Sequence, residues 1–152
     1  MNLQTERLDI RPFRPGDWKD LYEYLSLPEI YAFEPGEPVD EEGARKLALE
    51  RSQGEDFLAI VVRDTDKMAG HVYLGREQPE SFSCWELGFI FNPAYQRKGY
   101  CTEACKAVRD HAFDVLGAHR LVAGCSPDNP ASWRVLESIG MRREGVFLSS
   151  AF

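Results

Sequence analysis

The length, composition and charge of the chain limit the classes of protein to which it can belong. Its 152 residues suffice for one domain with a hydrophobic core, and 43% hydrophobic and 28% charged residues are typical of a globular protein. A formal net charge of -7 disfavours nucleic-acid binding, which needs clustered Lys and Arg, and suits a cationic or amine substrate. The sequence contains no run of about 18 apolar residues, so it predicts no membrane-spanning helix.

The first half of the chain predicts a strand, two helices and a strand hairpin. Polar and apolar residues alternate over 7–12, which indicates a strand. Helical spacing of apolar residues follows in 17–25, and a second helix is expected from about Asp40 to Ser52. The apolar run Phe57–Val62 predicts a buried strand, and turn-forming residues then return the chain as strand Met68–Leu74.

The second half predicts alternating strands and helices. Their expected bounds are Cys84–Phe91 (strand), Thr102–Leu116 (helix), Leu121–Cys125 (strand), Asn129–Gly140 (helix) and Met141–Phe147 (strand). The helix between the fourth and fifth strands is a crossover, so these two strands are expected to be parallel. The sequence therefore predicts one mixed α/β (α+β) domain over 1–152, with a mostly antiparallel central sheet flanked by helices.

Residues Gln96–Thr102 join a strand to a helix and have the features of an anion site. Gly99 permits a tight turn, and the helix start offers unpaired N–H groups. Arg97 and Lys98 add positive charge beside them. The segment matches neither G-x-x-x-x-G-K-[ST] nor G-x-G-x-x-G. Spacing alone therefore leaves two readings open, an anion site of unidentified ligand and an ordinary turn before a helix.

The stretch Gln96-Arg97-Lys98-Gly99-Tyr100-Cys101 resembles the Q/R-x-x-G-x-G/A signature of the GNAT acetyltransferases, with Cys101 where Gly or Ala is usual. A slightly crowded loop is expected from that cysteine. Further motifs resemble the RimJ/RimL-like subgroup, which includes ribosomal-protein N-terminal acetyltransferases. They are Thr5-Glu6-Arg7-Leu8, Arg11-Pro12, Glu86-Leu87-Gly88-Phe89, Asn92-Pro93, Thr102-Glu103-Ala104, Asn129-x-x-Ser132, Gly140-Met141 and Glu144-Gly145. The resemblance covers nearly the whole chain and implies the GNAT fold.

The same resemblance assigns residues to acetyl-coenzyme A. The diphosphate is expected to be held by Gln96, Arg97, Lys98, Gly99, Tyr100, Cys101 and Thr102. Backbone amides of Phe89, Ile90 and Phe91 are expected to hold the pantetheine and to polarise the thioester carbonyl. Asn129 is expected to hydrogen-bond the pantetheine. No metal is implied.

Two side chains are candidates for proton transfer during acetylation of an amine. Glu86 lies on an otherwise apolar strand, where partial burial would raise its pKa toward that of a general base. The alternatives are a hydrogen-bonded or solvent-facing glutamate, with a water chain as the base. Relatives often place a tyrosine acid where this chain has Leu136, so Ser132 or solvent is expected to protonate the leaving thiolate. The alternative for Ser132 is an ordinary first-turn residue after the helix cap Asn129.

The sequence identifies the residues of the acceptor pocket less well than those of the rest of the site. Its expected lining is Tyr31, Phe33, Phe82 and Trp85, although core packing explains such aromatics equally well. His71 lies on a predicted strand and is expected to have a core or surface role, with a position facing the cleft as the alternative. The acceptor is a primary amine, either a protein N-terminal α-amine or a small molecule such as a polyamine, amino acid or antibiotic. The alternative is a coenzyme A-binding sensor without turnover.

The resemblance implies direct transfer in a ternary complex. Consistent with this, Cys101 and Cys105 have no apparent histidine partner for a covalent route. The four cysteines are expected to be reduced in a cytoplasmic protein. Relatives continue with two strands after the Glu-Gly turn, so the C-terminal strand is expected to be missing or shortened. The open sheet edge is then expected to be covered in a homodimer, or to reflect truncation.

Overall fold

Among the residues that the structure describes, six strands form one sheet, in the spatial order in which they follow along the chain. The computed structural model describes residues 1–78, 83–124 and 129–142. The strands are β1 (Leu3–Gln4), β2 (Leu8–Pro12), β3 (Phe57–Val62), β4 (Lys67–Arg76), β5 (Cys84–Phe91) and β6 (Arg120–Ala123). Neighbours are antiparallel except β5 and β6, which are parallel. The predicted mixed, mostly antiparallel sheet is confirmed, and β1 is an addition to it.

Four α-helices in the described ranges flank the sheet. They are α1 (Trp18–Leu25), α2 (Glu41–Ser52), α3 (Tyr100–Asp114) and α4 (Pro130–Ser138). The start of α2 is where the sequence placed it, because the Asp40 carboxylate accepts the N–H of Gly43 at 2.7 Å and caps the helix. By contrast, α3 begins two residues before the predicted Thr102, so Tyr100 and Cys101 belong to its first turn.

Two strands predicted in the second half of the chain lie partly outside the described residues. The strand expected at Leu121–Cys125 is one residue earlier at its start and ends at Ala123, and Cys125 lies outside the described residues. Of the strand expected at Met141–Phe147, only the first two residues are described, and they are not in a strand. The rest of that strand and the expected shortened C-terminal edge lie outside the described residues, as does Phe82.

The sheet separates two hydrophobic layers. Leu58 and Ile60 on β3 pack in the layer of α3 and α4, whereas Ala59 and Val61 pack in the layer of α1 and α2. This division follows from the period-two alternation of side chains along a strand. Each fully buried aliphatic side chain contributes about 1.5–3 kcal/mol to stability. Within the described segments, no helix is long and apolar enough to span a membrane.

The pairing of β5 positions the site. Its ladder with β6 runs from Cys84–Arg120 to Leu87–Ala123, whereas β5 itself continues to Phe91. The described ladder therefore ends at Leu87, and the β6 side of residues 88–91 has no strand partner in the described part of the chain. On the other side of β5, Gly70 of β4 allows very close approach, because a Cβ there would lie 2.6 Å from the carbonyl oxygen of Ile90.

Candidate active site

A cleft of about 310 Å³ lies beside the part of β5 that extends beyond its described ladder with β6. It brings together five residues that the sequence predicted for three different tasks: Glu86, Ser132, Phe89, Ile90 and Phe33. The remaining lining residues are Glu34, Arg51, Phe57, His71, Tyr73, Leu87, Gly88 and Gly124. The unpaired backbone of β5 thus forms one wall, and the candidate base and acid both face the same space.

Next to the end of β5, the segment Gln96–Thr102 has the backbone shape of an anion site. Arg97 has φ of 64° and Gly99 has φ of 81°, both left-handed. Left-handed residues interspersed in a turn direct successive N–H groups to one side, forming an anion-binding concavity. The first N–H groups of α3 have no acceptor within the helix and carry its positive dipole end. Tyr100 and Cys101 contribute to this region through the backbone of that first turn.

The side chain of Gln96 has a bracing role in this loop. Its Nε2 donates to the carbonyl oxygen of Phe91 at 3.1 Å, which fixes the loop to the end of β5. Asn92 supports the same turn, because its Oδ1 accepts the N–H of Ala94 at 3.0 Å. Hydrogen bonds at the β5 end of the loop therefore set its position relative to the β5 backbone.

The N-terminal segment braces the loop from the outside, a role that the sequence did not reveal. Arg7 donates through Nη1 to the carbonyl oxygen of Lys98 at 2.8 Å and through Nε to Glu103 Oε1 at 2.7 Å. Its guanidinium lies 4.4 Å from the ring centroid of Tyr100. Thr5 donates its hydroxyl to the other carboxylate oxygen of Glu103. The motif Thr5-Glu6-Arg7 was the available signal, and the structure explains it as a clamp on α3.

The carboxylate of Glu103 is stabilised in its charged form by this clamp. Burial by itself raises the pKa of Glu103, but the hydrogen bonds from Thr5 and Arg7 outweigh burial and hold the pKa below its ordinary value. The clamp is therefore strongest when Glu103 is ionised. The negative charge of Glu103 is thus compensated by contacts within the protein, beside the first turn of α3.

Glu86 has the environment expected of a base. Burial is the main reason that its pKa lies above the ordinary value, and the charge and hydrogen bond of the nearby Glu77 raise it further. Glu86 pairs with Gly75 across β4 and β5. Glu77, two residues beyond Gly75, therefore lies diagonally opposite on the same face, which sequence spacing alone did not show.

Tyr73 is a second residue of the cleft that the sequence did not single out. Its hydroxyl lies over Gly75, because a Cβ on that glycine would be only 2.0 Å away. Its ring centroid is 5.1 Å from that of Phe57. Burial, and then the charges of Asp56 and Glu86 among others, raise the pKa of Tyr73, so the phenol stays protonated. Gly75 thus makes room for a neutral hydroxyl beside the candidate base.

Ser132 and Asn129 are joined at the start of α4. Asn129 Nδ2 donates to Ser132 Oγ at 2.9 Å, and Asn129 Oδ1 accepts the N–H of Ser132 at 3.4 Å. The asparagine is therefore the helix cap that its residue type predicts. Because Ser132 Oγ accepts this bond, its own hydrogen remains available for donation, and Ser132 lines the cleft. Leu136, where relatives often have tyrosine, is buried in the core.

Cys101 faces the core. Its thiol lies beside that of Cys105, and this hydrogen bond, followed by burial, raises the pKa of Cys101 well above its ordinary value. The thiol is therefore neutral, which disfavours a covalent acetyl-cysteine route. Cys84, Cys101 and Cys105 are all free cysteines.

The aromatic residues predicted for the acceptor pocket have different positions. Phe33 lines the cleft and is 45% exposed. Tyr31 donates its hydroxyl to the carbonyl oxygen of Leu25 at 2.8 Å, outside the cleft lining. Trp85 packs against the core layer of α3 and α4, on the face of β5 opposite Glu86. Of the predicted aromatic residues that the structure describes, Phe33 alone therefore lines the cleft.

His71 is a core residue that also reaches the cleft. Only 3% of it is exposed, and its Nδ1 lies 2.6 Å from the hydroxyl of Tyr24. Burial, aided by the charge of Arg51, lowers the pKa of His71 well below its ordinary value. The imidazole is therefore neutral and is held within a group of aromatic rings.

Comparison with known proteins identifies the family to which this chain belongs. The profile of the family described as acetyltransferase (GNAT) domain matches residues 7–142. The chain belongs to the GNAT acetyltransferase family. It is 38% identical over 149 residues to the uncharacterized N-acetyltransferase YnaD of Bacillus subtilis, covering 97% of this chain and 86% of that protein.

Solved structures agree with this assignment. An acetyltransferase (GNAT family) from Bacillus anthracis has a TM-score of 0.90 and 34% identity, covering 95% of this chain and 86% of that one. A GCN5-related N-acetyltransferase from Brucella melitensis has a TM-score of 0.84 at 24% identity, covering 97% of this chain and 70% of that one, and supports the fold alone.

GNAT acetyltransferases use acetyl-coenzyme A, and two features of this chain fit that coenzyme. The left-handed turn before α3 suits an anionic diphosphate, and the unpaired edge of β5 suits the amide groups of a pantetheine arm. Across the described ranges, no cluster of His, Cys, Asp or Glu is arranged to hold a metal ion.

Proposed function

We propose that this GNAT acetyltransferase moves the acetyl group of acetyl-coenzyme A directly to a primary amine, in a ternary complex formed at the cleft. The observation that carries the proposal is that Glu86, Ser132 and the unpaired backbone of β5 all border one cleft. A base, an acid and a row of amide donors are what amide formation from a thioester requires.

In this proposal the coenzyme occupies the α3 side of the site. The N–H groups of Gly99 and of the first turn of α3, with Arg97 and Lys98 beside them, bind the diphosphate. The backbone of Phe89, Ile90 and Phe91 binds the pantetheine and polarises the thioester carbonyl. Gln96 holds the loop in position, as its bond to Phe91 indicates.

The protons move through two side chains. Glu86 accepts a proton from the ammonium form of the acceptor. The neutral nitrogen then forms a bond to the acetyl carbon and loses its second proton to solvent. The carbon–sulfur bond breaks, and Ser132 donates its hydroxyl proton to the sulfur and recovers one from solvent. Asn129 keeps the Ser132 hydroxyl turned for this donation by its own hydrogen bond to Oγ. The raised pKa of Glu86 brings it closer to that of its substrate amine, which favours proton transfer.

The acceptor in this proposal is a protein N-terminal α-amine or a small-molecule amine. Support for the RimJ/RimL-like subgroup comes from the sequence motifs, of which the Thr5-Glu6-Arg7 clamp on Glu103 has a structural role here. The acidic side chains of the cleft, Glu34 and Glu86, suit a substrate that arrives as an ammonium ion.

Steady-state kinetics test the proposal. Thiol release from acetyl-coenzyme A is measured with a panel of amines and N-terminal peptides, for the wild type and for Glu86→Gln and Ser132→Ala. We expect release that depends on the amine, falls in both variants, and gives intersecting initial-rate lines, as for a ternary complex. Parallel lines would indicate a covalent intermediate. Stabilisation by acetyl-coenzyme A without release by any amine would favour the sensor alternative.

A further inference from the structure

Arg51 is a cation of the cleft that the proposed mechanism does not use. It lies in the last turn of α2 and lines the cleft together with Glu86 and Ser132. Its guanidinium carbon is 3.9 Å from the ring centroid of Phe57 and 5.3 Å from that of Phe13. Contact with aromatic ring faces restricts the orientation of a guanidinium and leaves its hydrogen-bonding capacity unused.

The guanidinium has no acceptor among the described residues. Its Nε and Nη1 atoms are buried and make no hydrogen bond there, and no ion pair to Arg51 occurs within the same residues. Burial lowers the pKa of Arg51 below its ordinary value, opposed by the nearby Tyr24 and Tyr31. Burying a charge without a hydrogen-bonding partner costs free energy. An arginine that lies in a cleft without an acceptor among the described residues therefore indicates that a bound ligand supplies the acceptor.

The arginine lies on the acceptor side of the sheet. The coenzyme loop leads into α3, whereas Arg51 belongs to α2, whose residues pack in the layer on the other face. Arg51 is therefore separated by the sheet from the loop that suits a diphosphate. This location disfavours the loop anion as the partner of Arg51 and, with no partner among the described residues, favours the second substrate.

The cleft consequently has a cationic end and an anionic end. Arg51 stacks on Phe57 of β3, which pairs with Tyr73 of β4, which in turn pairs with Gly88 of β5. Two strand spacings, about 10 Å, separate Phe57 from β5, where Glu86 lies. A ligand that spans the cleft thus meets a guanidinium at one end and a carboxylate at the other.

We infer that Arg51 binds an anionic group of the acceptor, so that the acceptor is a primary amine that also carries a carboxylate. The planar guanidinium matches a carboxylate with two parallel hydrogen bonds, which an ammonium ion cannot do. The amine end of the same molecule lies toward Glu86. This inference rests on the proposed function and narrows its substrate class to amino acids and short peptides with an accessible carboxylate.

Matched pairs of amines test the inference, each pair differing only in whether the remote group is charged. The pairs are γ-aminobutyrate with γ-aminobutyramide, ε-aminohexanoate with ε-aminohexanamide, and glycylglycine with glycylglycinamide. We expect kcat/KM of the wild type to favour the acid in at least one pair by about 10- to 100-fold, the value of a charged hydrogen-bonded contact. The preference should lie mainly in KM, because a remote contact is equally strong before and during reaction.

Two variants of α2 separate the role of Arg51 from a general effect on the helix. Arg51→Met should abolish the acid preference and leave turnover of the amides largely unchanged, and Arg51→Lys should restore only part of it. Arg45→Met is the matched control, because Arg45 is exposed on the same helix and also stacks on an aromatic ring, 4.2 Å from the centroid of Trp18. It should keep the wild-type preference.

The possible results distinguish this inference from the function on which it rests. Equal rates for acids and amides in every pair, or a preference that persists in Arg51→Met, overturn the carboxylate site and leave the acetyltransferase intact. Stabilisation of the coenzyme-bound protein by the acids over the amides, lost in Arg51→Met, supports the site independently of turnover. A protein that acetylates no amine of any class overturns both the function and the inference.

Discussion

Gly99 provides the most specific test of the coenzyme loop. Its φ of 81° is in the left-handed region, and a Cβ added there would lie 3.2 Å from Arg7 Nη2. Gly99→Ala is expected to cost about 1–2 kcal/mol of stability from the left-handed backbone. For a chain of this size, that corresponds to a fall in Tm of about 2–8 °C. Relief of the close contact would move the guanidinium that holds the Lys98 carbonyl.

The effect on ligand binding is larger than the effect on stability. Loss of one aligned N–H to an anionic oxygen costs about 1.5–3 kcal/mol, so acetyl-coenzyme A should bind about 10- to 100-fold more weakly. The assay is isothermal titration of acetyl-coenzyme A, with Tm measured on the same preparations.

Gly117→Ala is the matched control for this prediction. Gly117 is also left-handed, with φ of 71°, and a Cβ there would contact nothing within 4 Å. The two substitutions therefore impose similar backbone strain at opposite ends of α3. We expect similar losses of Tm but weaker binding in Gly99→Ala alone. Equal affinity of the two variants for acetyl-coenzyme A would refute the placement of the diphosphate at Gly99.

Three further predictions concern carboxylates. Glu86→Gln should lower kcat by about 10²- to 10⁴-fold, as for loss of a general base, with the affinity for acetyl-coenzyme A unchanged in titration; a variant with normal kcat would show that water supplies the base. Glu77→Gln removes a charge that raises the pKa of Glu86, so the acidic limb of kcat/KM against pH should move to lower pH, and an unmoved limb would exclude this coupling. The pKa of Glu103 is depressed by Thr5 and Arg7, so its contribution to stability is complete above the unfolded pKa, about 4.3, and is lost as the pH falls through the folded pKa. Glu103→Gln should therefore lower Tm at neutral pH, with a smaller difference from wild type in acid, and a constant difference across this range would contradict the clamp.

Much of the fold followed from local sequence patterns. The apolar run of β3 and the turn after it predicted the hairpin with β4, and the crossover rule predicted that β6 is parallel to β5. The predicted start of α3 was less accurate. Tyr100 and Cys101 were assigned to the loop, although they already have helical geometry.

The acceptor half of the cleft could not be predicted in the same way. Arg51, Phe57 and Tyr73 meet only because β3 and β4 pair in one register and α2 packs on that face. Spacing within the sequence does not report such contacts. Glu86 was found because a charge on an apolar strand is unusual, whereas Glu77 lies at the end of a strand, where a carboxylate attracts no attention.

The bracing role of Arg7 was only partly predictable from the sequence. The residue was recognised as part of a motif, but the motif did not say that it contacts α3, which lies more than ninety positions along the chain. The contact depends on β2 lying near the start of that helix, which is a property of the folded molecule. Motif position therefore indicated that Arg7 matters, and the structure supplied the reason.

Mass spectrometry of amines incubated with acetyl-coenzyme A and the purified protein tests N-acetyltransferase activity most directly. We expect at least one primary amine to gain a single acetyl group on nitrogen at a rate proportional to the protein concentration. We also expect Glu86→Gln, folded and able to bind the coenzyme, to form this product far more slowly. Coenzyme binding without an acetylated amine would contradict the acetyltransferase function, and equal product formation by Glu86→Gln would contradict the role of Glu86 as the base.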